Sequence, residues 1–129
     1  MGILDFLKGK KRQEENDIED LLSMLSKGNM YGIGCDTDQI PGTIGEFGLD
    51  LNNPIPVSSI PAAYKYLENL RFADNMKVKF ERTGSYGSEY VKYPIDGYSI
   101  FHPDGRRICM LFISPYHKVD SKLKPKGFK

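Results

Sequence analysis

Between residues 14 and 27 the apolar positions Ile18, Leu21, Leu22 and Leu25 fall at the i, i+3, i+4, i+7 spacing of one helix face. Acidic residues occupy the first turn and Lys27-Gly28 the last, the charge order that a helix dipole favours, so a first helix is predicted there. A second helix is predicted from Ser58-Ser59-Ile60-Pro61, a hydroxyl cap followed by an early proline, with Ala63, Leu67 and Leu70 along its apolar side and its end near Arg71. Between the two helices, Gly28, Gly32, Gly34, Gly42, Gly45 and Gly48, with Pro41, Pro54 and Pro56, exclude a long helix. Short extended pieces fit residues 43–51, where Ile44, Phe47, Leu49 and Leu51 offer side chains to bury.

From Met76 the period changes to two. The run Met-Lys-Val-Lys-Phe-Glu-Arg to position 82 alternates apolar and charged residues, as a strand with one wet face does. Residues 83–88, with Gly84 and Gly87, read as a loop, and 89–95 as a further extended piece closed by Pro94. The plainest hairpin runs from Tyr98 to Ile113 through Pro103-Asp104-Gly105, where proline suits the first corner of a turn and glycine tolerates positive φ. Its returning strand is apolar at every position from Ile108 to Ile113, which predicts an inner strand. After Ser114 to His117 the chain leaves the sheet, and residues 118–129, with five lysines against one acid, read as a solvated tail with Phe128 tucked back.

The expected fold is therefore α+β: an antiparallel sheet of about four to five strands with two helices packed on one face. Three segments are expected: a short amphipathic and basic stretch over 1–12, a single domain over 13–118, and a lysine-rich tail over 119–129.

Composition adds few constraints. With 18 basic and 17 acidic residues the net charge is +1, so no overall field steers the protein toward nucleic acid, and the acids at 14–20 oppose any such use of the terminal lysines. Nucleic acid is not an expected partner. Two cysteines are too few for a disulfide framework, and residues 1–12 carry neither the apolar core nor the cleavage site of a signal peptide, so a cytoplasmic location is expected. The pattern Ile3, Leu4, Phe6, Leu7 followed by Lys8 to Arg12 allows at most weak peripheral membrane contact.

The candidate chemistry is sparse. The glycines at 32–48 lack the lysine and hydroxyl of a phosphate loop, and Asp36-Thr37-Asp38 lacks the glycine and glutamate of a calcium loop, so neither a cofactor nor a metal is expected. His102 and His117 could serve as general bases if the fold carried Asp36, Asp38 or Cys35 to one of them. The stretch 82–93 combines Arg82 with Tyr86, Tyr90 and Tyr93, the residue types that dominate protein interfaces. The leading expectation is a small non-catalytic protein-binding module, of adaptor or toxin-neutralising type, that engages a partner protein through Arg82, Tyr86, Tyr90 and Tyr93. The other is a small hydrolase or transferase using His117 or His102 with Asp36, Asp38 or Cys35.

Overall fold

The computed structural model describes residues 32–129. The helix predicted over 14–27 and the basic stretch over 1–12 lie outside the described residues. Within them the order is β1 (Ile55–Pro56), α1 (Ile60–Asn69), β2 (Lys79–Ser88), β3 (Val91–Phe101) and β4 (Arg107–Ser114). The fold is α+β, with a four-stranded sheet in the order β1-β4-β3-β2. It corrects the expected antiparallel sheet to a mixed one, while the first of the two expected helices lies outside the described residues. The short strand β1 runs parallel to β4, and α1 is the one helix among the described residues. A parallel neighbour needs a crossover, and α1 with the strands that follow it supplies one.

The helix α1 starts where its local chemistry dictates. Ser59 holds an extended conformation and its side chain accepts the Ala62 backbone N–H at 3.1 Å, while Pro61 needs no hydrogen bond in the first turn. Ala63, Leu67 and Leu70 are fully buried on one side of it. Beneath them lies a sheet face built from Tyr98 and Ile100 of β3, Leu111 and Ile113 of β4, and Ile55 of β1, all fully buried. Each such aliphatic side chain contributes about 1.5–3 kcal/mol by leaving water.

The predicted hairpin is present as β3–β4. His102 and Gly105 close its turn with a 2.9 Å hydrogen bond, and Gly105 takes φ +100°. Its inner strand β4 is flanked by β3 on one side and by β1 and the Gly48 carbonyl, which accepts the Phe112 N–H, on the other.

Three predicted segments take other forms. Residues 83–88 are not a loop: β2 continues through them to Ser88 and turns at once into β3, with register shifts at Arg82/Gly84 and Tyr86/Ser88 that absorb the glycines as bulges. Pro94 does not close a strand but lies inside β3, within the second shift, where no ladder bond is demanded of it. Residues 43–51 form turns rather than extended pieces, with Asn53 at their centre: its side chain donates to the Gly45 carbonyl and accepts from Thr43.

The tail keeps its lysines exposed but is anchored along the domain, with Phe128 tucked back as expected. Tyr66 donates to the Leu123 carbonyl at 2.7 Å, Arg71 and Lys129 exchange backbone hydrogen bonds, and Phe128 lies on Phe72 with ring centroids 5.4 Å apart. Among the described residues no helix is long and apolar enough to cross a membrane.

Candidate functional site

His117 leaves the sheet just past β4 and is buried, 2% exposed. Its Nδ1 accepts the Cys35 backbone N–H at 2.9 Å, which assigns the ring proton to Nε2; that nitrogen donates to the buried Ser114 Oγ at 2.8 Å. In a nucleophilic serine–histidine pair the ring accepts the serine proton, whereas here the direction is reversed. Burial pushes the imidazole pKa down to about 4, so the ring is neutral at pH 7. Gly34 is fitted to this ring, since a Cβ there would overlap Nδ1.

The geometry makes His117 a clamp. Backbone bonds from Ile33 and Gly34 to the Tyr116 carbonyl, and from Lys118 to the Cys35 carbonyl, tie the 33–35 segment to the end of the sheet around it.

Among the described residues no hydrogen bond joins the Cys35 thiol, Asp36 or Asp38 to a His117 ring nitrogen. The Cys35 thiol turns to the Thr37 carbonyl at 3.6 Å, and Asp38 accepts the Lys122 backbone N–H.

His102, at the β3–β4 turn, meets acids that sequence alone did not offer. Its Nδ1 accepts the Asp104 backbone N–H at 3.1 Å and its Nε2 donates to Asp74 at 2.8 Å. The hydrogen bond from His102 holds the Asp74 carboxyl below its ordinary range, and that from the Arg106 backbone does the same for Asp104. A shallow depression of about 350 Å³ opens beside the ring, lined by Lys79, Phe80, Glu81, Phe101 and the turn. With both ring nitrogens engaged, His102 fastens the hairpin turn to the 72–77 connection. Among the described residues no group of three or more histidine, cysteine, aspartate or glutamate side chains is placed to hold a metal ion.

The four residues singled out for protein binding do not form one patch. Arg82 pairs across the ladder with Tyr98, on the face that α1 covers, and its guanidinium contacts the buried Asp96 carboxylate at 3.0 Å. Beside that pair the Tyr98 hydroxyl is buried without a hydrogen-bond partner among the described residues, and burial raises its pKa. After the bulge the parity of β2 reverses, and Tyr86, 37% exposed, lies on the opposite face. Tyr90 projects from the β2–β3 turn, and Tyr93 packs against Tyr116 and His117.

Around Tyr86 the opposite face has a definite construction. Gly97 of β3 carries no side chain, and the space a Cβ would take is filled by the Tyr86 ring at 2.6 Å and the Met110 methyl at 2.9 Å. Tyr86 meets Phe112 edge-to-face with centroids 6.0 Å apart, and its hydroxyl bonds Thr83 at 3.0 Å. Ile108, 41% exposed, continues the line along β4.

One end of this face is covered by Ile40, Cys35 and Leu51, packed with Val91, Ile95 and Phe112. Tyr86, on the edge strand opposite Ile95, and Ile108, toward the far end of β4, stay partly exposed. Sequence reading missed Ile108, Met110 and Phe112 because a uniformly apolar strand hides its parity. The hairpin register resolves it, since the partners of the buried Tyr98 and Ile100 are Leu111 and Cys109, and the even-numbered positions face away. Comparison with protein-family models, with curated proteins and with solved structures finds no match, so the geometry alone carries a functional reading.

Proposed function

We propose that this chain is a non-catalytic protein-binding module, of the adaptor or toxin-neutralising kind, that docks a partner on the sheet face opposite α1. The observation that carries the reading is the convergence of Tyr86 and Met110 over Gly97, with Phe112 beside them and Ile108 further along β4, on a surface still partly open at Tyr86 and Ile108. Tyrosine buries a large area at low entropic cost and keeps its hydroxyl hydrated, and a strand-borne apolar row gives it a rigid base. Tyr90, 40% exposed at the β2–β3 turn, flanks this face, whereas Arg82 belongs to the face under α1. Both histidines spend their ring nitrogens on the fold, which favours this reading over hydrolase or transferase chemistry.

The test uses tagged full-length chain, native-cell extract and three variants: Tyr86→Ala, Ile108→Asp, and Gly97→Ala, which displaces the Tyr86 ring. A partner retained stoichiometrically by the unaltered chain should weaken about 30-fold with each, the loss of a hot spot worth about 2 kcal/mol. Equal retention by well-folded variants would move the interface elsewhere.

A further inference from the structure

The geometry points to a second binding surface, a row of lysines along α1 without ion-pair partners among the described residues, whose ligand is the phosphate backbone of a nucleic acid. The row exists because residues 118–129 are anchored rather than loose. Asp120 accepts from the backbone N–H and hydroxyl of Ser58, Leu123 accepts from Tyr66, Phe128 packs on Phe72, and Lys129 bonds Arg71. These anchors follow the order of the helix itself, so the segment is drawn out beside α1, a helix about 15 Å long at 1.5 Å per residue. Ser121 and Pro125 turn inward and are buried, while Lys122, Lys124 and Lys126 are exposed.

The helix adds to the row. At 100° per residue the exposed Lys65 lies midway between Tyr66, which bonds the tail, and Tyr64, which meets β2, on the outer surface of the helix with Glu68 one turn further along. Lys65, Lys122, Lys124 and Lys126 form no ion pair with any described residue, although the Lys124 ammonium also lies 5.2 Å from the Tyr66 ring centre. Carboxylates beside the row are Glu68, three residues along α1 from Lys65, Asp38, which accepts the Lys122 backbone N–H, and Asp120, committed to Ser58.

A line of cations on an anchored backbone suits a repeating polyanion, because counterions leave the phosphates as each lysine engages and the backbone that carries them needs no further ordering. A lipid surface would need apolar insertion, for which the row offers only Leu123.

The measurement is fluorescence anisotropy of a labelled 20-nucleotide oligothymidylate titrated with the full chain at several salt concentrations between 20 and 200 mM. The expected Kd is about 10⁻⁵ M at the low-salt end, with a log–log salt slope of about −2 to −3 from three to four lysine contacts. The variant Lys122→Gln/Lys124→Gln/Lys126→Gln should bind at least tenfold more weakly and with a shallower slope, while Lys77→Gln/Lys79→Gln should bind like the parent. Three outcomes would overturn the proposal: no binding by the parent, equal loss in both variants, or displacement by polyglutamate at equal charge concentration. The last would assign the row to an acidic protein instead. None of these results bears on Tyr86 or Ile108, so the two surfaces stand or fall separately.

Discussion

A histidine enclosed by backbone and a serine, as His117 is, gives up its proton to be buried, and this makes stability depend on pH. Its folded-state pKa is about 4 against an ordinary 6.5, so the unfolded chain binds the extra proton first as pH falls. The stabilisation is complete above about pH 6.5 and is lost as pH drops through the interval to about 4, by on the order of 3 kcal/mol in total. Asp74 and Asp104, with carboxyls held below the ordinary carboxylate range, add to the loss only at still lower pH. Urea unfolding at pH 7, 6, 5 and 4.5 should show this slope in the parent chain and not in His117→Gln. Parallel slopes in the two proteins would remove His117 as the cause. The role of this residue was not legible in the sequence, because its partners, the Cys35 backbone and Ser114, are ordinary groups that only the chain path brings together.

At the scale of elements, α1 was legible to within a residue or two because its signals are local: a serine cap, an early proline and apolar side chains at helical spacing. Ser59→Ala should therefore cost about 1 kcal/mol, read as a lowered thermal midpoint, with Ser58→Ala as a comparison that removes only a hydroxyl contact to Asp120. A smaller effect at Ser59 than at Ser58 would show that the cap does not hold the helix start. The β3–β4 hairpin was equally legible, from a proline–aspartate–glycine turn between apolar runs. The extension of β2 through Thr83, Gly84 and Gly87 was not. Glycine disfavours a strand locally, and here the cross-strand ladder to β3 and the packing of Tyr86 on Gly97 outweigh that preference.

For the whole molecule the C-terminal segment acts as a strap. It closes over α1 and the 71–72 bridge, and Pro125 reaches the Gly48 backbone beside Ile55. Deleting residues 121–129 removes the three hydrogen bonds at Tyr66 and Arg71 and uncovers Phe72, a loss of about 4 kcal/mol at about 1 kcal/mol per hydrogen bond plus the apolar area. Denaturant titration should show a lower midpoint for the truncated chain, and an unchanged midpoint would return the segment to the solvated tail its composition resembles.

What the sequence determined by itself was each decision made within a few residues: the capped helix, the hairpin turn and a strand too apolar to lie at an edge. Those follow from backbone preference and hydrophobic period, which neighbours in sequence set. Tertiary structure decided the parallel pairing of β1 with β4, the parity that turns Tyr86 away from Arg82, the enclosure of His117 and the seating of the lysine-rich tail. Each of these depends on contacts between residues far apart in the chain, and there a single register shift or one buried hydrogen bond outweighs local propensity.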